Sequence, residues 1–520
     1  MDKKTLILLI LVLALAYFFR FWHLNSIPPG LYPDVALNAM QAISEPFKVF
    51  YPENFGREGL MISLTYLSFL IFGTSIWSLK FVAAFFGFLT VIGIYLLTKE
   101  LFIQCEKKKA ELIALFTTFF LSISFWHVNF SRIGFRVILL PFTMVFAFYF
   151  LFYGFRTKKP WSFILGGIFF GLGFYTYTSF RIAVLLLGLA LLNWLLIYRV
   201  QKLNKQFFVY ASLFLIVTFF VALPIGMYFL ENPKEFISRA GPVSVFSTDS
   251  PVKEFEKSLI LHLGMFNIYG DGNWRHNYSG SPLMYPWPVG IFFLMGIFYS
   301  MSQLFKARKS SMPFSKEIIA SYGLLVLWWI IMLLPGILTY EGVPHALRTL
   351  GAAPPSYIFA GIGAAMFLAW LKNKYIGKNI KLFSYYLFIS VLVIYCIFFA
   401  WYKYFIVWGQ SPKVSDAFTQ RFVDVGNGLN SYREEIKKYV IKSEGDLPVE
   451  TTKFVQLSAN RNEAIYINLN QIDDLNLAPG DMVFTMNKDF WPIEKIINKY
   501  PNGQLIEQER YWIYDTGYLY

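Results

Sequence analysis

The chain reads as apolar runs of about 20 residues separated by short polar joints, the pattern of helices that cross a bilayer. Eleven runs are drawn as spans, near 5–22, 80–101, 111–128, 136–155, 161–177, 182–198, 207–229, 286–305, 317–336, 349–371 and 382–404. The stretch 59–76 is also apolar. It is short and breaks at Gly73, so it is expected to lie along the membrane surface or against the bundle. After about residue 410 the spans stop and charge rises. There Val414–Val440 predicts one or two helices. Lys453–Leu457, Ala464–Leu469, Asp481–Thr485 and Tyr511–Tyr514 read as short strands, and Pro492–Lys499 as a helix. Such alternation predicts a small α/β domain. The expected fold is therefore a polytopic α-helical membrane protein of about 11 transmembrane helices over 1–405, with outer loops 23–79 and 230–285. A small extracytoplasmic α/β domain occupies 406–520.

Charge decides the count and the orientation. With eleven spans, alternate joints are Met1–Lys4, Glu106–Lys109, Arg156–Lys159, Arg199–Lys205, Lys306–Lys316 and Lys372–Lys381. Each carries at least two Lys or Arg. By the positive-inside rule these face the cytoplasm. Counting 59–76 as a span would invert every later joint. The protein is expected in the cytoplasmic membrane, with the C-terminal domain and all five histidines (His23, His127, His262, His276 and His345) on the outer side.

Composition agrees. The chain is 56% hydrophobic and only 15% charged, against about 25% charged in soluble proteins. The net charge of +14 sits mostly in the cytoplasmic joints, which argues against nucleic acid as a partner. Cys105 lies by a basic joint and Cys396 inside a span, so no disulfide is expected between them. The N-terminus resembles a signal sequence without small residues at a cleavage site, and is read as an uncleaved first helix. The sequence spells no metal site, no phosphate-binding glycine loop and no cofactor; a divalent metal stays open.

Five outer-face motifs could carry chemistry. Tyr32-Pro33-Asp34 follows the first span, with Arg57-Glu58 later in the same loop. A carboxylate there can act as a general base or ligate a metal; the plain alternative is that Asp34 caps the helix beginning at Val35. Asn129–Arg136 carries Arg132 and Arg136, whose guanidinium forks suit phosphate; snorkelling to headgroups is the alternative. Tyr175–Arg181 is a hydroxyl-rich turn with Tyr177 and Arg181. Gly270–Asn277 holds Asp271, Arg275 and His276 beside Trp274, a set that suits a sugar face or an ordinary polar turn. Glu341–Arg348 holds His345 and Arg348, which share a face if a helix starts there.

In these motifs and in their order the chain resembles the GT-C class of membrane glycosyltransferases, close to protein O-mannosyltransferases and lipid A aminoarabinose transferases. The matching residues are Tyr32-Pro33-Asp34, Arg57-Glu58-Gly59-Leu60, Phe72-Gly73 to Leu101, Ser131–Arg136, Tyr175-Thr176-Tyr177, Asp271–Asn277 and Pro344–Arg348. The resemblance covers roughly residues 1–405. It implies an inverting transfer from a polyprenyl-phosphate sugar donor to a lipid, glycan or protein acceptor, with Asp34 as base. Relatives often carry Asp-Glu where this chain has Asp34-Val35; Glu58 is the candidate for the second carboxylate. Arg57, Arg132, Arg136, Tyr177, Arg181, Arg275, His276, His345 and Arg348 are the candidates for holding donor phosphate and sugar. The absence of a Trp-Trp-Asp motif argues against en bloc transfer to asparagine. A flippase for lipid-linked glycans is the rival from another class, but polar residues gather on one side rather than along the bilayer depth. A surface-polysaccharide ligase or polymerase would share the donor chemistry.

Overall fold

The structure is a computed structural model and describes residues 2–103, 107–198, 205–309, 315–375, 382–442 and 445–517. Cys105 and much of the basic joints beginning at 106, 199, 306 and 372 lie outside these residues. Among the described residues, nine helices are long and apolar enough to cross a membrane: Lys3–Phe21, Ile76–Phe102, Arg136–Thr157, Thr178–Leu195, Phe207–Glu231, Trp287–Lys309, Ser315–Ile337, Leu350–Lys374 and Leu382–Trp408. A bent pair, Lys108–Ile123 and Phe125–Arg132, meets at 55° and makes a tenth if the two halves count as one span. The bend has a local cause. Ser124 leaves the helical region and its hydroxyl accepts the His127 amide, capping the second half. The expected span at 161–177 is the one that shortens. Its helix covers only Pro160–Gly173, fourteen residues, or about 21 Å of rise against a hydrocarbon core of about 30 Å.

The chain divides into two compact units. The first comprises Met1–Trp22, Lys48–Met61 and Ala83–Trp408; the second comprises His23–Phe47, Ile62–Val82 and Gly409–Tyr520.

In the first unit, two fully buried arginines close the helix ends around the break. Arg20 donates to the Leu121 and Ser122 carbonyls, and lies 2.9 Å from His127 Nδ1. Arg132 donates to the Phe19 and Trp22 carbonyls. Carbonyls at a helix C-terminus lack intrahelical partners, so each guanidinium supplies what the backbone lacks. The same unit carries a two-stranded ribbon, β1 (Phe50–Tyr51) against β2 (Arg57–Glu58).

The second unit is built on a five-stranded sheet. Its strands are β3 (Lys438–Lys442), β4 (Ile465–Asn468), β5 (Met482–Thr485), β6 (Gln504–Glu507) and β7 (Trp512–Asp515), in the order β4-β3-β5-β7-β6. The first three are parallel and the β5-β7-β6 side is antiparallel. Both faces are covered. Val440, Met482, Phe484 and Ile513 pack with Phe422, Val425 and Leu429 on one side. Tyr439, Ile441, Val483 and Tyr514 pack with Ile493 and Ile496 on the other. Two expectations change here, and one strand is new. Lys453–Leu457 is part of a helix, Val449–Ser458, because parallel β3 and β4 need a crossover between them. The end of the expected Val414–Val440 helix is instead strand β3. Strand β6 had no signal strong enough to predict. The short apolar helix Leu60–Phe72 also has a definite partner: Phe69 stacks on Phe454 at 5.9 Å, on the C-terminal domain.

Candidate functional site

The ribbon β1-β2 exists to present Glu58. Gly59 follows it, with its amide bonded to the Val49 carbonyl; a Cβ there would stand 1.9 Å from the Lys48 carbonyl oxygen. Glu58 is 1% exposed. Its Oε2 accepts from Arg136 Nε at 3.0 Å, and its Oε1 accepts from Thr178 Oγ1 at 3.1 Å and faces Arg181 Nη2 at 3.5 Å. Burial pulls the carboxyl upward, but Arg136 and Arg181 outweigh it and hold it below its ordinary value. Glu58 is thus an ionised, saturated anchor rather than a free base.

Around that anchor positive charge is in excess. Arg136 and Arg239 lie over the Tyr177 ring at 5.2 and 5.8 Å. Arg348 reaches the Glu341 carbonyl at 3.0 Å and its carboxylate at 3.6 Å. Arg181 lies over the rings of Phe229 and Phe236. Beside it opens an apolar cavity of about 590 Å³, lined by Phe174, Val184, Ala222, Ile225 and Leu230 among others, with Arg181 as its charged member.

A second cluster forms where the Gly270–Asn277 and Glu341–Arg348 loops meet. Asp271 Oδ1 accepts the Asn273 amide at 2.7 Å; Oδ2 accepts the Ala346 amide at 2.8 Å and lies 3.0 Å from His276 Nδ1. The rings of His276 and His345 are 4.9 Å apart. His262 completes the cluster: its Nδ1 bonds the Ser258 carbonyl, and its Nε2 accepts the His345 amide at 3.1 Å. That arrangement fixes a neutral imidazole, and burial pulls its pKa down to about 4. Burial, with His276 and Arg348 nearby, holds His345 well below the usual histidine range. Asp271, His276 and His345 offer ligand atoms within 4.8 Å of one another, the one such trio among the described residues. A cation there would compete with the His276 proton for Asp271 Oδ2, so the arrangement reads first as a hydrogen-bonded Asp–His pair.

The remaining candidates fall elsewhere. Arg132 and Arg136 do not share a helix face: the helix ends at Arg132 and Gly134 turns the chain at φ +76. The Arg132 fork is occupied by carbonyls, as described above, and it lies over the Tyr404 and Phe405 rings. No helix starts at His345, so His345 and Arg348 sit in a turn instead, with the Arg348 amide 3.5 Å from His345 Nδ1. Arg57 is fully buried and turned toward Glu53, 3.6 Å away. Arg275 bonds Asn273 Oδ1, and its carbonyl accepts from Asn129. In the second unit, Asp34 lies in the first turn of helix Pro33–Ser44. Tyr32 is the N-cap and makes no side-chain cap bond. Asp34 is half-buried, and among the described residues its carboxylate makes no hydrogen bond or ion pair.

The comparisons with known proteins point one way. Residues 60–227 match the family described as dolichyl-phosphate-mannose-protein mannosyltransferase. No curated protein sequence matches the chain. Among solved structures, ArnT from Cupriavidus metallidurans bound to undecaprenyl phosphate superposes with a TM-score of 0.57 at 12% identity, over 98% of both chains. The chain shares the GT-C fold of that transferase. Archaeal oligosaccharyltransferase AglB from Archaeoglobus fulgidus, in complex with an inhibitory peptide and a dolichol-phosphate, gives a TM-score of 0.52 at 14% identity, over 99% of this chain and 74% of that one. The same oligosaccharyltransferase in complex with Zn and sulfate gives 0.51 at 14% identity, over 98% and 73%.

Asp271 and His262 were not among the residues singled out for the site from sequence. Asp271 stood only within the Gly270–Asn277 set that suits a sugar face, and His262 only among the five outer-face histidines. The signal for Asp271 was the glycine on either side of it, which lets the backbone fold round one carboxylate. His262 had none, because its partner His345 lies in another loop.

Proposed function

We propose that this chain of GT-C fold is a glycosyltransferase that inverts the anomeric carbon while moving a sugar from a polyprenyl phosphate or diphosphate to an acceptor hydroxyl on the outer face of the cytoplasmic membrane. The observation that carries this reading is the apolar cavity headed by Arg181, which Glu58 couples to Arg136. An isoprenoid tail suits the cavity, and its phosphate suits a guanidinium fork held in low dielectric. The solved ArnT and AglB structures hold undecaprenyl phosphate and dolichol-phosphate, which supports a donor of that class here.

In the reaction, the acceptor oxygen bonds to the anomeric carbon as the bond from that carbon to the phosphate oxygen breaks. Asp34 takes the acceptor proton. The electron pair leaves on the phosphate, where arginines stabilise the growing charge. Asp34 suits this role because its carboxylate is unengaged, whereas Glu58 is saturated. The C-terminal domain is proposed to meet the acceptor. A polar hollow of about 350 Å³ there is lined by Asp424, Asn427, Tyr432, Gln508, Arg510 and Tyr511. Among the described residues the side-chain amides of Asn427 and Gln508 are unbonded, so they can meet sugar hydroxyls. The direct test supplies purified protein with labelled mannosyl, glucosyl and aminoarabinosyl undecaprenyl phosphate and membrane extract, and follows the products by mass spectrometry. Transfer of label to an acceptor supports the reading. Movement of intact donor across vesicles without transfer would replace it by a flippase.

A further inference from the structure

The segment that leads into Asp34 is gripped on every side by its own unit. Lys80, 2% exposed, donates to the Pro28 carbonyl at 2.9 Å. Gly30 takes φ +80 and passes so close to the C-terminal domain that a Cβ would stand 2.3 Å from the Phe418 carbonyl oxygen. The Leu31 carbonyl then accepts two hydroxyls, from Thr419 and from Thr451, each at 3.2 Å. Thr419 holds φ +50 and ψ +46 to do so, a left-handed conformation that a β-branched residue rarely adopts. Two residues later Pro33 opens the helix, and Asp34 sits in its first turn with no hydrogen-bond or ion-pair partner among the described residues. Among the described residues no hydrogen bond or ion pair fixes the carboxylate in place. Its position is set by the backbone just before it, and that backbone is set by residues about 390 to 420 positions away in sequence.

We infer that the C-terminal domain is a working part of the catalytic apparatus: Thr419 and Thr451 are positioning residues that fix Asp34 through the Leu31 carbonyl. This rests on Asp34 being the base. It goes beyond acceptor recognition, because it makes the proton-transfer step itself depend on the domain. A general base must lie within hydrogen-bond reach of the proton it removes. An Asp34 helix released at its N-terminal end loses that reach while the donor site keeps its arginines.

The test uses full-length protein in membranes. Thr419→Val/Thr451→Val is compared with Thr419→Ser/Thr451→Ser, Gly30→Ala and Asp34→Asn, using labelled undecaprenyl-phosphate sugars as probe. The valine pair should lower kcat by on the order of 10- to 100-fold, the loss expected for a catalytic group misplaced by about 1 Å, with donor KM unchanged. The serine pair should recover most of it, since the hydroxyl returns. Gly30→Ala repeats the test from the other side of the contact should the valine pair fail to fold. Amide exchange gives a readout independent of turnover: the Val35 and Ala36 amides, both bonded to the Tyr32 carbonyl, should lose protection in the valine pair and regain it in the serine pair. Wild-type kcat in the valine pair beside an inactive Asp34→Asn overturns the inference and leaves the base assignment standing. A fully active Asp34→Asn overturns both.

Discussion

The Glu58 carboxylate meets the Arg136 guanidinium at 3.0 Å, with the carboxylate 1% and the arginine side chain 10% exposed. Such a pair is poor evidence of net stability, yet breaking it from one side leaves an uncompensated buried charge. Glu58→Gln is therefore expected to destabilise the protein by about 3–5 kcal/mol, read as a lower unfolding midpoint in detergent. Removing Arg136 as well, with Glu58→Gln/Arg136→Gln, should restore part of the loss. If Glu58 were instead the base, Glu58→Gln would keep its midpoint and lose only turnover.

Asp34→Asn keeps size and hydrogen-bonding capacity but cannot accept the acceptor proton. It should abolish transfer and leave donor binding nearly unchanged. Arg181→Ala should do the reverse. A charge-assisted hydrogen bond lost from a low-dielectric site is worth about 1.5–3 kcal/mol, or roughly 10- to 150-fold in donor affinity. Arg181→Lys should rescue only in part, because an ammonium offers a point charge and no fork. Arg132→Ala should leave donor affinity alone, since its fork already serves the end of the first helix. Titration of labelled donor into each variant separates these cases.

How much of this could be read from sequence depends on how local the cause is. The spans were legible because a run of about 20 apolar residues is its own signal. The helix that carries Asp34 was legible because Pro33 marks its start. The partnership of Asp271 with His276 and the Ala346 amide was not, because it joins two loops that no pattern connects. Arg132 and Arg136 looked like one face at helical spacing, and Gly134 between them was the residue that separates their fates. At Lys453–Leu457 a β-like composition gave way to topology, since β3 and β4 run parallel and need a crossing helix. The contacts of Leu31 were hidden for the same reason as those of Asp271: its partners, Thr419 and Thr451, lie beyond the last span.

His262 supplies a pH prediction. Its folded pKa of about 4 lies below the usual value of 6.5. Between those values the unfolded chain binds a proton that the folded chain refuses, so this contribution is intact above about pH 6.5 and is lost as pH falls toward 4. Protonation would also take the Nε2 lone pair from the His345 amide. The loss should reach on the order of 3 kcal/mol near pH 4. His345 acts in the same direction. His262→Gln keeps an acceptor but does not titrate, so its unfolding midpoint should change less between pH 7 and pH 5 than that of the wild type. Equal slopes would show that His262 is not the group responsible.

Sidedness is checked by labelling. After replacement of Cys105 and Cys396, single cysteines at positions 107, 203, 309 and 376 should resist a membrane-impermeant thiol reagent in intact cells. Those at 245 and 460 should react. Protection at 460 together with labelling at 203 would invert the orientation, and with it the face on which transfer is proposed.

The polar hollow of the C-terminal domain gives the last prediction. Asp424 Oδ2 and Arg510 pair across it at 2.9 Å, and Asp424 Oδ1 is held by Gln420 at 2.7 Å. Among the described residues that leaves Asn427 and Gln508 as its unbonded side-chain amides, beside the Tyr432 and Tyr511 phenols. Burial first, and then Asp424, pushes the Tyr511 hydroxyl up to about 12, so it stays a donor at any working pH. A neutral hydrogen bond contributes about 1 kcal/mol. Asn427→Ala/Gln508→Ala should therefore raise acceptor KM by roughly 10- to 50-fold without weakening donor affinity. Arg510→Lys should add a smaller loss, through the fork it shares with Asp424. The assay varies acceptor concentration at saturating donor. An acceptor KM that stays at the wild-type value in the double variant would move acceptor recognition away from this hollow, to the loops of the membrane unit.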